Sequence, residues 1–289
     1  MPGQLALRGF YALKPIIPRP AQVAARRVRA RRIWRALKQN PLPPVADEPF
    51  GYRWPEGARA CAMVTHDVEL TPGQQNIPAL VHIEEEFGVT SCWNFVVRRY
   101  PVDTELIAGL REAGHEIGVH GVYHDGREYS SRQEFQRRLA VMESAAQEWG
   151  AVGFRSPSLM YVRSLLETIP FAWDSSMPAW DPFQPKRGDC LAYIPFRLNN
   201  RCVELPVTLW QDFTLFEELG LVDIDIWRKQ SDFIWRLGGL INVIVHPDYM
   251  RSERRLRLYR GLLEHLGAME RLWIAKPAEV AAWARRNGC

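Results

Sequence analysis

The stretch Glu116-Ile-Gly-Val-His-Gly-Val-Tyr-His124 holds two histidines four residues apart, the first of which, His120, directly follows a short apolar run. A similar run about fifty residues upstream, Ala60-Cys-Ala-Met-Val64, leads into Asp67 and Glu69. Two imidazoles and one carboxylate are enough protein ligands for a divalent cation that keeps open coordination positions. The other carboxylate could then accept a proton from water, because such a cation lowers the pKa of bound water towards about 7. These residues favour a metal-dependent hydrolase.

A second pattern extends from residue 60 towards the C-terminus, where short apolar segments alternate with longer segments of helical periodicity. This alternation is typical of parallel βα units. We predict strands at 60–66, 90–97, 116–119, 152–154, 171–173, 203–207 and 240–245, and helices at 77–87, 103–113, 131–149, 223–236, 252–266 and 277–286.

Reactive side chains follow five of the predicted strands. In a βα barrel the carboxyl ends of the parallel strands meet at one face, and such enzymes place their chemistry there. The sequence therefore predicts an α/β fold with a barrel or barrel-like sheet, and it predicts that these residues gather at one end. They are Asp67 with Glu69, His120, Arg155, Asp174 and His246.

Chemical roles can be assigned to several of these side chains. One of Asp67 and Glu69 would bind the cation and the other would act as a general base, and their spacing does not decide which. Arg155 could keep that base ionised and oriented through a bidentate contact. His246 could donate a proton to a leaving amine. Asp174 could tune the histidine, or it could cap the turn that follows it.

The basic charge of the chain is concentrated at its N-terminus. Residues 1–40 hold ten of the 37 Lys and Arg residues and none of the 33 acidic residues, although the formal net charge is only +4. We expect residues 1–45 to form a basic arm with a Pro-rich linker, and residues 46–289 to form the barrel. The stretch 5–38 mixes arginines with apolar residues, so it could lie on an anionic membrane surface or rest on the acidic body. The acidic body argues against nucleic acid as a partner.

Other features of the sequence bear on the compartment. The N-terminus lacks the apolar core and cleavage site of a secretory signal, and no apolar run approaches the ~20 residues that span a bilayer. The five cysteines are scattered and show no CxxC spacing. We expect a cytoplasmic protein whose basic arm can bring it to the inner face of the membrane.

With these motifs in place, the chain resembles the polysaccharide deacetylases, the family of NodB-homology domains. The resemblance covers roughly residues 55–285 and rests on the order of the motifs rather than on any single one. The matching segments are Asp67 with Glu69, Gly88–Phe95, Gly114–His120 with His124, Arg155–Pro157, Asp174, His246 and Leu272–Val280.

The resemblance implies a distorted (β/α)7 barrel that hydrolyses an N-acyl amide, acetyl or formyl, on an amino sugar. It implies one divalent ion, zinc before cobalt, nickel or manganese, held by Glu69, His120 and His124. By the same analogy Asp67 would be the general base, tethered by Arg155, and His246 would protonate the departing amine. Asp174 or Asp181 would tune His246.

The sequence departs from the family pattern at three positions. Val68 stands where a second adjacent aspartate is usual, Glu69 is longer than the aspartate of Asp-x-Asp members, and Ser158 replaces a tyrosine. Two alternatives therefore stay open: a metal-independent amide hydrolase on the same barrel, and a catalytically inactive carbohydrate-binding module.

The basic arm also suggests a class of substrate. A lipid-linked or nucleotide-linked amino sugar, used in the assembly of a surface polysaccharide or glycolipid, would suit an enzyme at the inner membrane face. The sequence leaves open whether Trp93, Trp173, Trp180 and Trp210 line a substrate groove or fill the core.

Overall fold

The computed structural model describes residues 19–184 and 188–288. Its strands are β1 Ala60–Val68, β2 Cys92–Phe95, β3 Glu116–Val119, β4 Gly153–Phe154, β5 Trp173–Asp174, β6 Phe196–Arg197, β7 Val203–Glu204, β8 Leu240–Val245 and β9 Leu272–Ile274. Its α-helices are α1 Arg19–Ala36, α2 Thr71–Glu86, α3 Thr104–Glu112, α4 Arg132–Trp149, α5 Arg163–Leu166, α6 Asp225–Leu237, α7 Glu253–Gly267 and α8 Pro277–Arg286.

These strands form one curled sheet in the order β6-β7-β5-β4-β3-β2-β1-β8, and β9 pairs with β1. All strand pairs are parallel except β6 with β7. The segment after β7 lies against β8, because the Thr208 hydroxyl donates to the Leu240 carbonyl and accepts from the backbone N–H of Asn242. The predicted barrel-like α/β fold is confirmed.

Strand β1 lies between β2 and β8, and all nine of its residues are buried. Its side chains alternate between two apolar clusters. Cys61 and Met63 belong to a cluster with Trp173, whereas Ala62 and Val64 pack in the larger cluster with the helices. A parallel strand that is covered on both faces needs apolar residues throughout. The polar residues of β1 therefore come at its carboxyl end, where the strand leaves this packing.

Three of the four tryptophans in question fill the core. Trp93, Trp173 and Trp210 are fully buried, and the Trp93 ring stacks on the imidazole of His66 with centroids 3.9 Å apart. Trp173 occupies the space beside Gly153, where a Cβ atom would lie 1.7 Å from its ring. These rings contribute packing area rather than a sugar-binding wall.

Helix α2 begins six residues before the predicted start at residue 77. Pro72 lies in the first turn of the helix, where the backbone N–H groups have no intrahelical partner, and Pro78 lies in the helix interior. Because Pro72, Gly73 and Pro78 are poor helix formers, the sequence pattern alone does not predict the first turns of this helix. The π-helix Phe213–Glu218 and strand β6 were likewise not predicted.

The described part of the basic arm is helix α1, which packs on the barrel. Ala30 is fully buried, and the ring of Trp34 meets that of Trp210 edge-on with centroids 5.8 Å apart. The guanidinium of Arg27 donates to the Glu217 carbonyl at 2.8 Å. Residues 5–18 of the predicted arm lie outside the described residues. Within the described ranges, no helix combines the length and the apolar character needed to cross a bilayer, and membrane docking stays a prediction.

Candidate active site

The ends of strands β1, β3 and β8 open into a cavity of about 290 Å³. Asp67, Glu69, His120, His124 and His246 all contribute to its lining. The sheet topology accounts for this meeting, since the carboxyl ends of parallel neighbours come to the same edge. Five of the predicted site residues are thus brought together.

Glu69, His120 and His124 form a candidate metal site, because one possible ligand atom of each lies within 4.8 Å of the others. The ring Nδ1 of His120 is 3.0 Å from the backbone carbonyl of Arg155. That carbonyl can only accept, so Nδ1 carries the proton and Nε2 keeps a free lone pair. The Nε2 atom is buried and has no hydrogen-bond partner among the described residues. A buried nitrogen lone pair that accepts no hydrogen bond, next to the carboxylate of Glu69, fits a ligand of a bound cation.

His124 reaches this site through an unusual backbone conformation. Its φ angle is +52°, and Gly121 before it has φ +69°. A left-handed conformation is uncommon for a residue with a side chain. It brings the His124 ring centroid to 5.2 Å from that of His120, and His124 Nε2 to 2.8 Å from Oε1 of Glu69. The unfavourable φ angle thus occurs at His124, which is one of the three candidate metal ligands.

Asp67 occupies a position distinct from the three candidate ligands. Its Oδ1 accepts hydrogen bonds from Arg155 Nη1 at 3.1 Å and from Asn94 Nδ2 at 2.9 Å. Burial alone would raise the pKa of Asp67, but the charge of Arg155 and the hydrogen bond from Asn94 oppose burial, and the pKa lies below its ordinary value. Asp67 is therefore a carboxylate at neutral pH, as a general base must be.

Arg155 is fully buried and connects β1 with β5. Besides Asp67, its guanidinium donates to the hydroxyl of Thr65 at 2.7 Å and to the backbone carbonyl and the hydroxyl of Ser175 at 2.9 and 2.8 Å. With these partners on several sides the guanidinium has little freedom to rotate. Arg155 thus fixes both the charge and the direction of Asp67.

His246 lies at the end of β8 with its ring held by a buried aspartate. Asp212 Oδ1 is 2.6 Å from His246 Nδ1, and Asp212 Oδ2 accepts from the His246 backbone N–H at 2.8 Å. Burial would lower the pKa of His246, but Asp212 outweighs it and raises the pKa to about 10. The second ring nitrogen, Nε2, is 3.8 Å from Glu69. A protonated imidazole therefore lies beside the candidate metal site.

The chain is similar to known proteins in sequence and in fold. No protein-family model matches the chain. The peptidoglycan deacetylase of Helicobacter pylori is 20% identical over 258 residues, which cover 75% of this chain and 87% of that protein. A crystal structure assigned to the polysaccharide deacetylases, from Mycobacterium smegmatis, superposes with a TM-score of 0.65 at 22% identity, covering 85% of this chain and 95% of the other.

The chain has the fold of the polysaccharide deacetylases. The resemblance read from the motifs is confirmed at this level, and so is the distorted (β/α)7 barrel. An allantoinase also shares the deacetylase fold, with a TM-score of 0.60 at 15% identity over 86% of this chain and 99% of its own. Because a protein named for a different substrate has the same fold, the chemistry has to be argued from the site.

Within this deacetylase fold, Asp212 takes the position that we predicted for Asp174 or Asp181, and that prediction is wrong. Asp174 is fully buried elsewhere, where it accepts from the backbone N–H and hydroxyl of Ser176 and lies beside the buried Glu204. Asp181 accepts from the backbone N–H of Phe183. Both are short side chains that stabilise turns, as Asp residues often do.

Two residues of the site were not predicted from the sequence, although the pattern around one of them could have indicated it. Asn94 is a polar residue inside the apolar strand Cys92–Phe95, and its register partner on β1 is Asp67. Asp212 precedes a π-helix in a stretch without strand or helix periodicity. Only the fold brings it to His246.

Replacing Asp212 with asparagine is expected to lower the pKa of His246 from about 10 towards its ordinary value. Asparagine keeps an oxygen for the backbone N–H but removes the negative charge, and burial then disfavours the imidazolium. The pKa can be followed by NMR titration of ¹³C-labelled histidine in metal-free protein, with the exposed His82 as the internal control. An unchanged His246 titration would contradict the assignment of Asp212 as its partner.

Proposed function

We propose that this protein is a metal-dependent hydrolase that removes an N-acyl group, acetyl or formyl, from an amino sugar. The observation that carries the proposal is a single cavity in which Asp67 is hydrogen-bonded to Arg155, His246 is hydrogen-bonded to Asp212, and three candidate metal ligands lie beside both. The sequence similarity to a peptidoglycan deacetylase supports an amino-sugar amide as the substrate.

The candidate ligands suit a zinc ion, with cobalt, nickel and manganese as further possibilities. Two imidazoles and one carboxylate leave coordination positions open, which is the arrangement of catalytic rather than structural zinc sites. When bound, the cation would polarise the amide carbonyl and lower the pKa of water.

The side chains of this protein supply the proton transfers. Asp67 accepts a proton from the attacking water, and Arg155 with Asn94 keeps its carboxylate ionised and oriented. The bond that breaks joins the acyl carbon to the sugar nitrogen. His246 donates the proton that this nitrogen needs in order to leave, and Asp212 restrains the imidazole. The products are the free amine and a carboxylate.

The substrate that we favour is an amino sugar linked to a lipid or a nucleotide, as an intermediate in the assembly of a surface polysaccharide or glycolipid. Exposed arginines of helix α1, among them Arg31, Arg32 and Arg35, are free to meet an anionic membrane surface.

The test is release of free amine from N-acetyl and N-formyl amino sugars, before and after chelation. We expect activity to disappear when the metal is stripped and to return with zinc, cobalt, nickel or manganese. Activity that survives stripping would favour a metal-independent amide hydrolase, a candidate that the shared fold of an allantoinase keeps open. Absence of any activity after metal reconstitution would favour an inactive carbohydrate-binding module.

A further inference from the structure

Helix α1 turns one face towards the barrel, and that face includes a charged residue. Val23, Ala30 and Trp34 are buried or half-buried at helical spacing, and Arg26 is half-buried among them. Other arginines of the helix, such as Arg31, are exposed. An arginine on the inward face of a docked helix needs a partner, because burying an unpaired charge is costly.

The side chain of Arg26 lines the same cavity as Asp67 and His246. Its guanidinium carbon lies 5.6 Å from the ring centroid of Phe213, within range of a cation–π contact. Among residues 19–184 and 188–288 it makes no hydrogen bond and no ion pair within 4 Å. Arg26 therefore lines the cavity with a guanidinium that no described residue pairs by a hydrogen bond or an ion pair.

Two further arginines line this cavity, but both already have partners. Arg29 donates to the backbone carbonyls of Phe183 and Gln184, and Arg99 Nη1 lies 3.6 Å from Oε2 of Glu69. Together with Arg26 they make a cationic wall, and all three charges remain inside or beside the cavity.

The carboxylates that line the cavity do not fully balance this wall. Asp67 is paired with Arg155, and Glu69 lies beside Arg99, His124 and His246. The third, Glu218, is buried, and burial raises its pKa to about 7 although Arg26 opposes this shift. Even when Glu218 is ionised, the lining holds three guanidinium groups and three imidazoles against three carboxylates, one of which is paired with Arg155.

We propose that Arg26 binds a phosphate or pyrophosphate group carried by the amino-sugar substrate. This inference rests on the proposed function and names the chemical group that the site recognises besides the N-acyl amide. The planar fork of a guanidinium matches phosphate oxygens in a bidentate contact. A neutral sugar offers no counter-charge to the guanidinium groups of Arg26 and Arg29, whereas a phosphate group does.

The volume of the cavity is consistent with a substrate made of one sugar unit and a phosphate group. About 290 Å³ is near the lower end of the range for small-molecule sites. One sugar unit with a charged substituent fits that space better than several units of a polysaccharide chain. Helix α1 thereby becomes a wall of the substrate site, in addition to any contact it makes with a membrane.

The first experiment measures binding of inorganic pyrophosphate to the full-length, zinc-loaded protein by calorimetry. We expect Arg26→Gln to weaken binding by about 10- to 100-fold, the value of a lost charge-assisted hydrogen bond. Arg31→Gln is the matched control, since it removes the same charge from the exposed side of the same helix. Arg26→Lys keeps the charge without the fork and should lie between.

Equal binding by Arg26→Gln and the wild type, or no binding by the wild type, would overturn the inference. Because binding needs no turnover, these results do not depend on the hydrolase activity. Pyrophosphate binding through Arg26 with no hydrolysis of any amino sugar would leave the anion site standing and would refute the proposed function.

A second experiment separates the two sources of a phosphorylated amino sugar. Nucleoside-diphosphate-linked and polyprenyl-pyrophosphate-linked N-acetyl sugars are compared with the methyl glycoside of the same sugar. Arg26→Gln should lower kcat/KM for the phosphorylated compound that the enzyme prefers by about 10-fold or more relative to its effect on the methyl glycoside. An equal loss on all three compounds would mean that Arg26 only supports the fold.

Discussion

Replacing Asp67 with asparagine is expected to lower kcat by about 10²- to 10⁴-fold, the usual contribution of a general base. The amide has nearly the same shape but cannot accept the proton at neutral pH. Asp67 is not one of the three candidate ligands, so the metal content should stay near that of the wild type. The measurements are steady-state release of amine and elemental analysis of the purified protein.

The control for this variant is Asp103→Asn, the same chemical change at the N-cap of helix α3. Asparagine caps a helix about as well as aspartate, so this variant should behave as the wild type does. A kcat for Asp67→Asn within a few-fold of the wild type would refute the role of Asp67 as base. Thermal unfolding of each variant separates loss of chemistry from loss of fold, since Arg155 loses its counter-charge in Asp67→Asn.

Replacing both His120 and His124 with alanine is expected to abolish metal binding and hydrolysis together. The wild type should contain about one divalent ion per chain, as a single site with three protein ligands would bind. The double variant keeps only Glu69, and a single carboxylate does not hold a transition metal against a chelator. Elemental analysis after dialysis gives the stoichiometry directly.

His82→Ala provides the matched control for the histidine variants, because His82 is exposed on helix α2. It should leave both the metal content and the activity unchanged. A wild-type protein that is purified empty and takes up no added zinc would overturn the metal-dependent mechanism. The metal-independent amide hydrolase and the inactive module would then be the remaining candidates.

The gathering of residues at the strand ends could be predicted because it follows from local pattern. An apolar run that ends in a carboxylate or a histidine identifies a parallel strand and its functional end at once, as for Asp67, His120 and His246. The position of Asp212 could not be predicted in this way. Its partner lies 34 residues further along the chain, and the π-helix after it has no sequence signature.

The packing of the basic helix on the barrel could not be predicted either, and here the physical reason is different. A high net charge predicts that a segment stays out of the apolar core. It does not predict which of the arginines in that segment face the barrel. Whether Arg26 or Arg31 points inwards depends on where Trp34 finds its contact with Trp210. That contact is a tertiary one, and its residues are 176 positions apart in the sequence.

The buried pair of Arg155 and Asp67 has a consequence for how such a chain can drift during evolution. Each charge is tolerated in the interior only because the other is there, so losing one alone leaves an uncompensated ion and weakens the fold. Descendants that abandon the reaction are therefore expected to exchange both residues for apolar ones, in linked steps. The survival of one residue in a lineage then argues for the survival of the other.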